Sequence, residues 1–116
     1  MTLGLLGLAS CDRCRAARRW LAEQEIDYQW RDLREHPPDL NEATDWLARL
    51  GEAQLVNKRS ATWRGLSEDH RPAAGEAVPA TLLVEHPLLI RRPLWLRGEA
   101  IASGFDDAVR EWLAKP

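Results

Sequence analysis

Apolar residues occupy both parities of the first stretch of the chain, Thr2 to Leu8. Leu3 and Leu5 share one face, and Leu6 and Leu8 the other. A strand apolar on both faces is one covered on both sides, near the middle of a sheet. The period then changes. Cys14, Ala17 and Leu21 recur at i, i+3, i+7, with Trp20 beside them, which predicts a helix over Arg15–Glu25 whose first turn begins at the cysteines. That face is expected inward, and Arg15, Arg18 and Arg19 are expected on the solvent side. Tyr28 to Leu33 reads as a second strand, with Ile26, Tyr28 and Trp30 on one face. Strand, helix, strand at this spacing implies a parallel pair joined by a right-handed crossover.

His36-Pro37-Pro38 breaks the pattern. Asp39, with Glu42 three residues on, can cap a helix whose apolar stripe is Leu40, Ala43, Leu47 and Leu50, ended by Gly51. Glu52 to Glu76 reads as short helices and loops. Val78 to Glu85 is expected as a helix with Pro79 in its first turn and Pro87 as its bound. Two apolar runs between Leu88 and Ile101, joined around Gly98, read as a β-hairpin, with a proline marking the start of the first strand. Ser103-Gly104-Phe105-Asp106 can cap a last helix with Phe105, Val109, Trp112 and Leu113 inward. No repeat, linker or low-complexity segment interrupts this. The order βαβ, helices, ββα is that of a thioredoxin-like α/β domain: three layers, a mixed sheet, and a helical insertion at about 38–86 within one domain over 1–116.

Composition narrows the function. The chain has 116 residues, 45% hydrophobic and 29% charged, a balance that suits one globular core. Its net charge of −2 points neither to nucleic acid nor to an anionic membrane. Fourteen arginines stand against two lysines. GC-rich coding is the ordinary source of that bias and bidentate anion binding the other, so position must decide which arginines matter. Leu8-Ala9-Ser10-Cys11 resembles a lipoprotein cleavage site, yet no basic segment precedes it, and cleavage would delete the candidate central strand. No stretch approaches the ~20 apolar residues of a membrane span. Two cysteines make no disulfide framework; a C-x-x-C pair in a cytoplasmic setting reads first as redox.

That pair is Cys11-Asp12-Arg13-Cys14. A thiol at a strand-to-helix junction faces unsatisfied backbone N–H groups and the positive end of the helix dipole. Such a setting can lower a thiol pKa from about 8.5 to roughly 3.5–7.5, and the thiolate is the reactive species. Cys11 falls at the exposed cap and Cys14 one turn along, facing inward. Cys14 is therefore either a resolving thiol or an inert core cysteine. Zinc is not expected, because no second ligand pair exists and His36, His70 and His86 are scattered. Trp20, Trp46 and Trp112 lie on or beside apolar helix faces and are expected in packing.

Four stretches together resemble the arsenate-reductase-related branch of thioredoxin-like proteins, the ArsC/Spx/YffB group. They are Cys11-Asp12 followed by Arg18-Arg19-Trp20-Leu21; Ile26-Asp27-Tyr28; Leu55 to Arg64 (LVNKRSATWR); and Ile90-Arg91-Arg92-Pro93-Leu94. The chain looks most like the YffB-like subgroup. The resemblance implies that Cys11 is the nucleophile, that Pro93 is the proline held in cis opposite it, and that Arg59 and Arg92 line an anion site. A planar guanidinium grips a carboxylate or oxyanion bidentately and stabilises a nearby thiolate. One departure stands out. Oxyanion-reducing members carry a further arginine after the hairpin, where this chain reads Ala102-Ser103-Gly104-Phe105, with Arg97 nearby at the turn.

The expected activity is that of a cytoplasmic, glutathione-dependent thiol–disulfide oxidoreductase, with no bound cofactor, no metal, and glutathione as co-substrate. Cys11 would attack, and Cys14 or a second glutathione would resolve. Its partners would be thiol or disulfide molecules or proteins, and the chain would act as a monomer without direct nucleic-acid or membrane binding. An Spx-like redox-sensing regulator that binds the RNA polymerase α subunit is the alternative. Arsenate reductase is a third, weakened by the missing arginine.

Overall fold

Strand β1 (Leu3–Gly7), helix α1 (Asp12–Glu23) and strand β2 (Gln29–Asp32) open the computed structural model, which describes residues 2–115. Helices α2 (Leu40–Leu50), α3 (Glu52–Leu55), α4 (Ala61–Arg64) and α5 (Ala80–Glu85) follow, with a 3-10 turn at Pro87–Leu89. Strands β3 (Leu94–Arg97) and β4 (Ala100–Ser103) and helix α6 (Asp107–Ala114) complete the order. The chain divides into two compact units. One joins the segment up to His36 with the segment from Arg92 onward; the other is Pro37–Arg91.

In the first unit the sheet order is β2-β1-β3-β4, with β1–β2 parallel and β1–β3 and β3–β4 antiparallel. The parallel pair is the one that the strand–helix–strand spacing predicts. With α1 following β1 and α6 following β4, this is the thioredoxin-like α/β topology. Leu3 and Leu5 present one face of β1 to Ala17 and Leu21 of α1, Val109 and Leu113 of α6, and Trp95 of β3. Trp95 is fully buried, and its indole N–H donates to the Gly104 carbonyl at 2.7 Å. Burying a ring of that size strengthens the core only because its one polar atom is satisfied. Ile26, Tyr28 and Trp30 pack partly against the same cluster, on the shared face that their alternation predicts.

Arg18 departs from the solvent-facing expectation. Its guanidinium lies 4.5 Å from the centre of the Trp30 ring and its Nε–H donates to Tyr28 Oη at 3.1 Å. The parallel crossover brings β2 beside α1, so an arginine flanking the buried stripe finds aromatic faces there.

Arg97 closes the last helix. It donates to the carbonyls of Trp112 (3.0 Å) and Lys115 (2.9 Å) while stacking 4.1 Å over the Trp112 ring. A cation at orphan C-terminal carbonyls both caps the helix and offsets its dipole. Arg97→Ala is expected to destabilise the protein by about 1–2 kcal/mol and to speed amide exchange selectively in α6. Exchange unchanged in α6 would contradict this assignment.

In the second unit, Asp39 and Glu42 form the predicted capping box. The Asp39 carboxylate accepts from Glu42 N at 2.8 Å and Glu42 Oε1 accepts from Asp39 N at 3.2 Å. The buried side of α2 is Ala43 and Trp46, with Leu47 and Leu50 half-buried, and Leu40 is 50% exposed. The large indole of Trp46 pulls the inward stripe to its own side, leaving Leu40, in the first turn, uncovered. Pro79 is the N-cap of α5 and not a first-turn residue. The hairpin is shorter than the apolar runs suggest. Leu88 and Leu89 belong to the 3-10 turn, and Ile90 forms only an isolated bridge with Val56. Pro87 starts that turn, and Leu89 and Ile90 are spent on burial, not on a ladder. Among the described residues, no helix is long and apolar enough to cross a membrane.

Candidate thiol site at the end of the sheet

The strand register decides which loops meet. Gly7 pairs with Asp32 in the parallel ladder, and Leu6 pairs with Leu94 in the antiparallel one. The chain leaving β1, the end of β2 and the chain entering β3 therefore lie at the same edge of the sheet. Leu8–Cys11 and Arg92-Pro93 are brought together there by topology alone.

Cys11 is the N-cap of α1, half-buried, with extended backbone, and its side chain caps nothing. Its amide donates to Leu8 O at 3.1 Å, closing the turn out of β1, and its carbonyl accepts the first helical bond, from Arg15 N at 3.0 Å. Arg15 also donates to Ser10 O at 3.1 Å. The turn is held from the other strand as well: Asp32 Oδ2 accepts from Ala9 N at 3.3 Å, while Oδ1 accepts from Arg34 N at 2.8 Å and Glu35 N at 3.3 Å. Despite some burial, those three N–H groups, with Arg34 beside them, hold the Asp32 carboxyl below its usual value. Sequence reasoning missed Asp32. The signal available was an aspartate next to the end of a predicted strand, just before a turn.

Partial burial by itself would push the Cys11 thiol pKa up. The backbone N–H of Cys14, the Cys14 thiol, the backbone N–H of Arg13 and the Arg92 guanidinium counter that effect, and together they hold the sulfur below an ordinary thiol. These are the orphan donors of a helix N-terminus plus one fixed cation, and they favour the charged form. Cys14 is the opposite case. It is fully buried on the inward face of α1, and its pKa is pushed up to about 12. Burial is the main cause; the Leu8 backbone opposes it, the neighbouring Cys11 sulfur adds to it, and Arg92 opposes it weakly. One thiol is thus shifted toward the thiolate and reachable, and the other is held protonated and enclosed behind it.

A second missed residue explains the enclosure. A Cβ built on Gly7 would collide with Cys14 Sγ and press within 3.5 Å of the Trp30 ring. Gly7 is there because the sulfur of Cys14 fills the space a side chain would take.

The Arg92–Pro93 peptide is cis, Pro93 is fully buried, and its carbonyl accepts from Gly104 N at 2.9 Å. Cys11, Cys14, Arg92 and Pro93 therefore belong to one unit and one sheet edge. Arg59 belongs to the other unit, where its side chain is exposed. After the hairpin, where a further arginine is absent, Phe105 packs edge-on to Trp20 (5.7 Å) and tilted against Trp95 (6.3 Å). Neither neighbouring cation substitutes. Arg97 is held by the carbonyls after α6 begins its last turn, and Arg110 lies 4.4 Å over Phe105 with an ion pair to Asp107 at 2.9 Å.

The ArsC family pattern matches residues 6–112, the whole span that holds these residues. The chain belongs to the ArsC family. An uncharacterized protein of Haemophilus influenzae is 36% identical over 87% of this chain and 89% of its own length. The global transcriptional regulator Spx 2 of Bacillus anthracis is 30% identical over 92% of this chain and 83% of its own. Among solved structures, the YffB protein superposes with a TM-score of 0.87 at 27% identity, covering 97% of this chain and 99% of that one. An arsenate reductase-related protein of Brucella melitensis gives 0.76 at 29% identity, covering 100% and 97%. In this ArsC-family chain the thioredoxin-like fold expected from element order is the fold found, and the four motif stretches quoted for the resemblance all fall within the matched span.

Proposed function

We propose that this ArsC-family protein is a thiol–disulfide oxidoreductase that uses Cys11 as nucleophile and glutathione as co-substrate. The observation that carries the reading is the asymmetry of the pair: Cys11 held below an ordinary thiol at the cap of α1, and Cys14 pushed up to about 12 behind it. The Cys11 thiolate attacks one sulfur of a disulfide; a Cys11–substrate bond forms, and the other sulfur leaves as a thiolate that takes a proton from solvent. Once Cys11 is capped, its negative charge no longer adds to the burial that holds the proton on Cys14, while the pull of Arg92 remains. Cys14 then loses its proton and attacks Cys11 Sγ, forming the Cys11–Cys14 disulfide and releasing the bound thiol. Two glutathione molecules, oxidised to glutathione disulfide, return the pair to thiols. Arg92 joins the amides of Cys14 and Arg13 in favouring the charged form of the attacking sulfur, and the backbone at Pro93 is assigned to align an extended substrate. Arg59 is assigned to the substrate's carboxylate. Such chemistry suits the reducing cytoplasm.

Mixed-disulfide trapping tests this directly. Reduced protein exposed to glutathione disulfide should carry glutathione at Cys11 only transiently, passing to an internal disulfide. In Cys14→Ser the glutathione adduct at Cys11 should persist. Adducts forming first on Cys14, or on neither cysteine, would contradict the mechanism.

A second reading, a redox-switched regulator that docks on the RNA polymerase α subunit, is favoured by the 30% identity to Spx 2 together with the C-x-x-C pair. Capture of purified α subunit by one redox form and not the other would select it. Arsenate reduction is the weakest reading: where oxyanion-reducing members carry a further arginine after the hairpin, Phe105 packs against Trp20 and Trp95, and Arg97 and Arg110 are engaged elsewhere.

A further inference from the structure

The chain passes from the end of β1 to the nucleophile at the cap of α1 through Leu8, Ala9 and Ser10. Leu8 is buried, but Ala9 and Ser10 are exposed, so packing does not fix the middle of this turn. Hydrogen bonds do. Two of them, Cys11 N to Leu8 O and Arg15 Nη2 to Ser10 O, stay within the turn and the helix that follows it. The bond from Ala9 N to Asp32 Oδ2 is different, because its acceptor stands 23 residues away on β2.

The register puts that acceptor in reach. Gly7 pairs with Asp32, and Leu33 N donates to Gly7 O at 2.8 Å, so the two parallel strands end side by side. Oδ1 is taken by the amides of Arg34 and Glu35, which orients the carboxylate. The turn out of β2 is closed further by His36 N on Asp32 O at 2.8 Å and by Arg31 Nε on His36 O at 3.0 Å. One carboxylate therefore joins the turns that leave two neighbouring strands. It does so only when ionised, since both of its oxygens accept. Its slight burial opposes ionisation, but the amides of Arg34, Ala9 and Glu35 and then the Arg34 charge outweigh that. Asp32 is thus ionised wherever a thiol titrates, and it is no proton carrier for the thiols.

We infer that Asp32 is a positioning residue for the Cys11 thiol, an inference that rests on the reading of Cys11 as the nucleophile. By tying Ala9 to β2, it holds the cap of α1 so that the sulfur meets the amides of Arg13 and Cys14 and the guanidinium of Arg92. The sign of its effect identifies this role. As a bare negative charge, Asp32 would disfavour the thiolate, and its removal would lower the Cys11 midpoint. As a clamp it does the reverse: its removal loosens the cap, and the midpoint rises. The other charged or titratable groups about the pair are Arg34 at the carboxylate, Cys14 and Arg92 at the sulfur, and Arg15 with Asp12 at 3.8 Å beside the turn. The substitutions below leave all of them in place.

The test compares the pH dependence of Cys11 alkylation in the reduced wild type, Asp32→Asn and Asp32→Ala, with Cys14 quantified in the same samples. Asn keeps one acceptor oxygen, so one set of amides loses its partner; Ala removes both. The Cys11 midpoint is expected to rise toward that of free glutathione in both variants, most in Asp32→Ala. Alkylation near neutral pH should slow by about five-fold there, the worth of roughly one hydrogen bond. Cys14 should stay unmodified, which shows α1 still packed on β1. A wild-type midpoint at or above that of glutathione would overturn the reading of Cys11 and this inference with it. A lowered wild-type midpoint that stays the same or falls in the variants would overturn this inference alone, as would a lower Tm with no change at Cys11. Modification of Cys14 in step with the change at Cys11 would also overturn it, because the effect would then be a general loosening of the helix.

Discussion

Cys11→Ser is expected to remove glutathione-dependent disulfide reduction by on the order of 10³-fold or more, leaving only the exchange that glutathione performs in solution. A hydroxyl at the same cap is not ionised near neutrality, and it forms no sulfur–sulfur bond, so the first step has no substitute. Cys14→Ser is expected to behave differently. It removes the enclosed thiol and its influence on Cys11, so the internal disulfide is lost, yet a second glutathione can still release the mixed disulfide. Turnover should fall without vanishing, and its dependence on glutathione concentration should steepen. Rates of small-disulfide reduction, followed at several glutathione concentrations, separate the two variants. Full activity in Cys11→Ser, or equal loss in both, would sink the assignment of roles.

Gly7→Ala is expected to be the most damaging single methyl added anywhere near the site. Its Cβ would meet Cys14 Sγ, and Cys14 is fully buried on a helix that itself packs on β1. Overpacking of this kind costs about 1–3 kcal/mol, which for a domain of this size lowers Tm by about 3–10 °C. The cause can be isolated. Cys14→Ala removes the sulfur and leaves the Cys14 Cβ at an ordinary distance, so the double variant Gly7→Ala/Cys14→Ala should be more stable than the sum of its parts implies. Simple additivity in thermal unfolding of the four proteins would show that the strain lies elsewhere. Gly7→Ala should also displace Cys14 relative to Cys11 and slow closure of the internal disulfide, an effect that loss of stability by itself would not produce.

The period changes along the chain carried most of the first unit. A two-sided apolar run gave β1, and the i, i+3, i+7 spacing of Cys14, Ala17 and Leu21 gave the buried face of α1; in the second unit, Asp39 with Glu42 gave a capping box that forms as drawn. The placement of Cys11 at a cap and Cys14 behind it followed from the same phase. What escaped was set by neighbours distant in sequence. Arg18 looked solvent-facing on its own helix, but Tyr28 and Trp30 arrive from β2. Leu88 to Ile90 is apolar enough for a strand, yet its local prolines and the bridge from Val56 make it part of the second unit's core. Gly7 carries no local signal of its role, and Asp32 only that of an aspartate just before a turn. One matters through the sulfur it makes room for, and the other through three amides, one of them on a different element. Arg91 differs from its neighbour Arg92 in nothing that composition can show; only the fold puts the two in separate units.

The central claim is that Cys11 is a stabilised thiolate. It is tested most directly by the pH dependence of alkylation of the reduced protein, with each cysteine quantified by mass spectrometry and free glutathione as the reference thiol. Keeping both cysteines preserves the influence of Cys14 on the Cys11 sulfur. The prediction is a Cys11 midpoint below that of glutathione, with Cys14 unmodified throughout the same range, as a thiol pushed up to about 12 requires. A Cys11 midpoint at or above that of glutathione, or alkylation of Cys14 in step with it, would contradict the account.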